Sequence, residues 1–123
     1  MIKNVLLVGL GGSIGSIARY LCQKWFAINY TSSFPWATFA VNITGCFAIG
    51  IFWGLSFKSF NSDESWKLFL MTGLCGGFTT FSAFTLEGIG LLREQKLALF
   101  FSYIAASVLL GLLATYTGMK ITG

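Results

Sequence analysis

The side chains able to do chemistry in this 123-residue chain are few, and most lie inside apolar runs. Thr38 and Asn42 are one helical turn apart, with Gly45 and Cys46 a turn further on. An amide NH2 donates hydrogen bonds to a partly dehydrated anion, but a buried Asn equally bonds a neighbouring helix. Both readings stand for Asn42. Tyr103, Ser107, Gly111 and Thr115 recur at steps of four, which places them on one stripe of a helix. Such a stripe is one wall of a narrow aqueous track or a line of interhelical hydrogen bonds. Phe81 and Phe84 lie one turn apart. Aromatic rings have a negative face and a positive edge, so ring edges stabilise an anion without a full positive charge. Ordinary packing is the competing reading in a chain with 13 Phe. Arg19 either snorkels to an interface, contributes to an electropositive vestibule or pairs with an acid. Glu87 is a proton carrier, a vestibule residue or the partner of Arg19. No nucleophile–base pair and no metal-ligand spacing occurs, so an enzyme is not expected. Cys22, Cys46 and Cys75 sit in apolar runs with no His to assist them, and read as small hydrophobes.

Composition says what must position these groups. Hydrophobic residues make up 55% and charged residues 10%, against about 25% charged in an ordinary soluble domain. That deficit leaves too little charge for a water-facing surface. The net charge of +4 does not point to nucleic acid, because the basic residues are scattered at the ends of apolar runs and form no patch. The expected fold is an all-α membrane protein, one domain over 1–123, with four transmembrane helices at about 4–26, 36–57, 66–92 and 97–119. Each run meets the roughly 20 apolar residues that a span requires. The first lacks a small-residue cleavage site and is kept as a span rather than a signal peptide. The gaps are short: 28–35, 58–65 and the charged turn 93–96.

Four spans put both termini on one side. Lys3, Lys58, Lys67 and Lys120 then oppose Lys24, Arg93 and Lys96, with Arg19 near the second group. Orientation follows an excess of Lys and Arg in cytoplasmic loops, and here the excess is almost nil. One orientation fixed by other factors and dual topology, with copies inserted both ways, remain equal on charge alone. Gly11/Gly15, Gly50/Gly54 and Gly73/Gly77 have the spacing that close helix packing needs, without identifying partners. In the third run, Gly76 and Gly77 followed by Thr79 and Thr80 weaken a helix. A break near the bilayer centre is expected there. Non-helical backbone at that depth is tolerated only inside protein or facing a cavity. A second copy meeting the first at the break would let carbonyls surround one hard cation, and Na⁺ suits oxygen ligands.

Three segments carry a family resemblance: Gly11-Gly12-Ser13-Ile14-Gly15-Ser16-Ile17-Ala18-Arg19-Tyr20, Pro35-Trp36-Ala37-Thr38-Phe39-Ala40-Val41-Asn42-Ile43-Thr44-Gly45, and Gly73-Leu74-Cys75-Gly76-Gly77-Phe78-Thr79-Thr80-Phe81-Ser82-Ala83-Phe84. With the span layout, the chain resembles the Fluc (CrcB) fluoride channels over nearly its whole length. The resemblance implies a dual-topology, antiparallel homodimer with two pores in the cell membrane. It implies passive export of fluoride that relieves fluoride toxicity. It implies a structural Na⁺ at the dimer centre, held by the backbone carbonyls of Gly76 and Thr79. It makes Phe81 and Phe84 the paired rings of the fluoride path, Asn42 the pore asparagine and Arg19 the vestibule arginine. Ser82 becomes the polar residue between the rings, and Thr38, Tyr103, Ser107 and Thr115 belong to the polar track. Ala37 and Ala83 depart from the family pattern, which has Gly and Thr there; Ala83 puts in doubt any hydroxyl role at its position. The alternatives are a small dual-topology drug or cation exporter, which by resemblance needs an acid in the first span, and a non-transporting membrane assembly subunit.

Overall fold

The computed structural model describes residues 1–58 and 64–123, and within these it is helical, without strands. Helix α1 runs Ile2–Asn29 and α2 Trp36–Lys58. Helix α3 covers 64–78: one α-turn (Glu64–Lys67), a stretch of wider π-helical winding (Leu68–Cys75) and a last α-turn (Gly76–Phe78). Helix α4 runs Phe81–Arg93 and α5 Leu97–Thr122. Four stretches are long and apolar enough to cross a membrane: Ile2–Asn29, Trp36–Phe57, Glu64–Arg93 and Leu97–Thr122. The helices extend past the apolar runs at most ends, because interfacial polar residues such as Asn29 still complete helical bonds; its side chain donates to the Trp25 carbonyl at 2.8 Å. The connection read across 58–65 includes 59–63, which lie outside the described residues.

Proline and turn chemistry set the short connections. Pro35 stands directly before α2, where a missing N–H does no harm. The turn after α4 is tighter. Gln95 adopts φ 60°, the Gln95 N–H donates to the Leu92 carbonyl at 2.9 Å, and the Lys96 N–H to the Leu91 carbonyl at 2.9 Å. These two bonds close the helix as a Schellman cap and reverse the chain within three residues. Lys96 then bonds Ser33 at 2.6 Å and pairs with Glu94 at 2.9 Å, tying two connections at one end of the bundle.

Glycine decides which helices meet. A Cβ at Gly77 would come within 2.5 Å of the Gly12 carbonyl oxygen, and one at Gly73 within 3.0 Å of Gly11 Cα. Helices α1 and α3 are therefore in backbone contact. The second pair is α2 with α5: a Cβ at Gly118 would sit 2.8 Å from Ile51 N, and one at Gly50 would meet the Thr115 backbone. Hydroxyls reinforce this seam, Thr115 donating to the Cys46 carbonyl (3.0 Å) and Thr122 to the Ile51 carbonyl (3.1 Å). In lipid, such close backbone packing replaces the hydrophobic effect as the force between helices. The outward faces are correspondingly apolar: Leu6, Leu10 and Ile17 on α1 and Leu109, Leu112 and Leu113 on α5 are all exposed. The interior is small, centred on Phe84, Leu91 and Tyr103, with Phe34, Phe39 and Phe100 around them.

Two glycines separate packing from propensity. Gly118→Ala is expected to destabilise the protein by about 1–3 kcal/mol, as overpacking does. Gly9, with nothing within 4 Å of its would-be Cβ, is expected to gain up to about 1 kcal/mol as Ala through helix propensity. Thermal unfolding in one detergent, compared across wild type and both variants, checks the opposite signs.

Candidate functional site

Between α3 and α4 the backbone leaves the helix for two residues. Gly76 keeps helical dihedrals (φ −63°, ψ −37°), while Thr79 (φ −84°, ψ 159°) and Thr80 (φ −149°, ψ 121°) are extended. Four polar side chains take over the hydrogen bonds that the helix gives up. The Thr80 N–H, which a continuous helix would direct to the Gly76 carbonyl, donates to Asn42 Oδ1 at 2.8 Å. Asn42 Nδ2 donates back to the Thr80 carbonyl at 3.0 Å. The Ala83 N–H, the helical partner of the Thr79 carbonyl, donates to Thr80 Oγ1 at 3.2 Å, an N-cap for α4. The Gly77 carbonyl accepts from Arg19 Nε at 3.1 Å and from Ser16 Oγ at 3.5 Å. The carbonyls of Gly76 and Thr79 are thereby released from their helical donors.

The break aims the start of α4. Phe81 is exposed and Phe84 buried, with ring centroids 5.9 Å apart, and Phe84 stacks on Tyr103 at 5.0 Å. Beside them lies an open-sided groove of ≈ 360 Å³, walled by α2 (Asn42, Gly45, Cys46), the break (Gly76, Thr79, Thr80), both rings, and Ser107 on α5. Among the described residues, none that lines it is charged. The Ser107 hydroxyl is buried without a hydrogen-bond partner. After its two bonds to Thr80, Asn42 keeps one amide proton for the groove.

The remaining polar residues gather elsewhere. A second cavity of ≈ 460 Å³, between the end of α1, the connection before α2 and the first two turns of α4, is lined by Gln23, Tyr30, Phe34, Ala83 and Glu87 among others. There Tyr103, fully buried, donates to Glu87 Oε1 at 3.2 Å, and Gln23 donates to the buried Thr38 hydroxyl at 3.4 Å. Arg19 faces the Gly77 carbonyl, not Glu87. The stripe on α5 therefore divides: Tyr103 joins Glu87, Ser107 faces the groove, and Thr115 holds α2 through Cys46. Ser82 is exposed at the first turn of α4, with its hydroxyl 3.4 Å from that of Thr80. Sequence reasoning missed Ser16, Gln23 and the capping role of Thr80. Thr80 was findable, as a hydroxyl residue directly ahead of an apolar helical run.

The geometry can be set beside known proteins. The family model for CrcB-like protein, Camphor Resistance (CrcB), matches residues 6–119. The chain belongs to the CrcB family. It is 46% identical over 119 residues to the fluoride-specific ion channel FluC of Flavobacterium psychrophilum, covering 97% of this chain and 96% of that protein. It is 46% identical to the FluC of Rhizobium etli, covering 96% and 94%, and 42% identical to that of Leptospira interrogans, covering 95% and 92%. The CrcB chain is thus a multi-pass membrane protein whose relatives align over almost their full length.

Asn42→Leu is expected to cost about 2–5 kcal/mol, because the Thr80 N–H and carbonyl both lose a partner in a dry setting. Arg19→Met removes one donor of the two at Gly77 and is expected to cost less. Detergent-solubilised thermal stability, with near-ultraviolet circular dichroism as a report on aromatic packing, ranks the two.

Proposed function

We propose that the chain is one subunit of a passive, fluoride-selective channel of the cell membrane, which lets fluoride leave the cytoplasm down its gradient. The observation that carries this reading is the uncharged groove beside the break, where Asn42, Ser107, Phe81 and Phe84 converge. The relatives' name, fluoride-specific ion channel, supports the choice of ion. A small anion stripped of water needs donors that replace hydration, and conduction requires that they hold it weakly. An amide proton, a hydroxyl and ring edges do this; a lysine or arginine in the groove would bind too tightly. No bond is made or broken.

The groove is open on one side, and a second copy closes it. Thr72, Gly76, Ser82 and Thr85 are exposed along a stretch that crosses the membrane, where lipid does not solvate small polar groups or bare carbonyls. The near-even distribution of Lys and Arg is compatible with an antiparallel homodimer of dual topology, as in the family that the chain resembles, in which the same break meets itself across a two-fold axis near the bilayer centre. The freed carbonyls of Gly76 and Thr79 fit a structural Na⁺ there, since hard cations take oxygen ligands. Bound Na⁺ would supply positive charge opposite carbonyl dipoles. Arg19 and Asn42 keep the break in shape, and α4 then presents Phe81 and Phe84 to the anion.

Liposomes loaded with fluoride or chloride, with no proton gradient, test the reading through a fluoride electrode. Fast fluoride loss without chloride loss is the expected outcome. Phe81→Ile and Phe84→Ile should each cut fluoride efflux by an order of magnitude or more, about 1.4 kcal/mol per tenfold, with dimer elution unchanged. Silence toward both ions, or efflux that requires a proton gradient, would return the exporter and assembly-subunit readings.

A further inference from the structure

We propose that the groove beside the break is also a binding site for soft, thiophilic cations, held by the thiolates of Cys46 and Cys75. Both cysteines line the groove, one from α2 and one from α3, and both are free thiols. Thr79 joins the two walls that carry them. Its side chain fills the space that a Cβ on Gly45 would occupy, next to Cys46. Its N–H and hydroxyl both donate to the Cys75 carbonyl, at 3.0 and 2.9 Å. The same residue that shapes the break therefore ties together the two walls from which the thiols enter the groove. The third cysteine, Cys22 on α1, is outside the groove lining.

The chemistry of the lining selects the ligand class. The groove offers sulfur and neutral oxygen, with no carboxylate or imidazole among its walls, and thiolates favour soft metal ions over hard ones. Charge then favours a divalent ion taken by two thiolates. In a low-dielectric setting an uncompensated charge is costly, and Hg²⁺ with two thiolates is neutral. The step balances without a redox partner: with HgCl₂, two S–H and two Hg–Cl bonds break, two Hg–S bonds form, and two protons and two chlorides leave to bulk water. The site is distinct from the carbonyl oxygens of Gly76 and Thr79, which suit a hard cation. Binding does not rest on the channel reading; its effect on flux does.

The test uses the purified full chain in detergent with equimolar HgCl₂, followed by free-thiol titration and intact-mass measurement. Two thiols should disappear per bound mercury. The two-thiol, chloride-free adduct should survive in Cys22→Ser and give way in Cys46→Ser and Cys75→Ala to a one-thiol adduct that keeps an Hg–Cl bond. A two-thiol adduct retained in Cys46→Ser, or lost only in Cys22→Ser, overturns the site; Cys46→Ser decides alone if Cys75→Ala does not elute as a single species, because Cys75 is the more buried of the two. In liposomes, Hg²⁺ should reduce fluoride efflux to the protein-free background and excess dithiothreitol should restore it. Mercury bound at both thiols with undiminished efflux leaves the metal site standing and takes the groove out of the ion path.

Discussion

The constraint on which the structure depends is the need to satisfy backbone polar groups where there is no water. A helix that crosses lipid meets it internally. A helix that opens for two residues does not, and each released group costs several kcal/mol unless a partner is found. Here the partners are side chains from three different helices: Asn42 on α2, Arg19 and Ser16 on α1, and Thr80 itself at the head of α4. The break is thus a junction that requires the whole bundle to be assembled. It also explains why Arg19, a costly residue in a membrane span, lies inward against a carbonyl.

The helix pairs serve this junction. Four-residue glycine spacings bring α1 and α3 into backbone contact, which is what lets Arg19 and Ser16 reach Gly77. Gly45 does the same for α2, admitting the Thr79 side chain and bringing Asn42 alongside Thr80. A methyl group at Gly45, Gly73 or Gly77 would overlap the facing helix and force the walls apart. Close packing and polar satisfaction are therefore one requirement, and the seam between α2 and α5 extends it to the wall that carries Ser107.

Much of this was legible in the residues, for physical reasons. Apolar run length fixed four spans, because bilayer thickness is a hard ruler. Glycine spacing announced close packing but not partners, since any two helices could use it; coordinates were needed to pair Gly11 with Gly73 and Gly50 with Gly118. Gly76, Gly77, Thr79 and Thr80 read together as weakening the helix; of these, Gly76 is helical and Gly77 serves as a contact with α1. The residues that leave the helix are the β-branched Thr79 and Thr80. The π-helical stretch Leu68–Cys75 has no mark in the sequence that was read as such. Arg19 and Glu87 were unassignable for a similar reason: each had three chemically sensible roles, and only geometry gives the first to the Gly77 carbonyl and the second to Tyr103.

The division of polar groups bears on how an anion could move rather than lodge. Every full charge near the break is engaged outside the groove, Arg19 with a backbone carbonyl and Glu87 with a phenol. What faces the groove is weak and plural: one spare amide proton on Asn42, the unpartnered Ser107 hydroxyl and two rings of different exposure. None of these replaces a hydration shell alone, so no single position is a deep trap. An anion held by several weak donors at once leaves each at small cost when the next comes within reach, which is the condition for rapid passage. Weak donors discriminate between ions only when their spacing is fixed, and the paired bonds between Asn42 and Thr80 fix it.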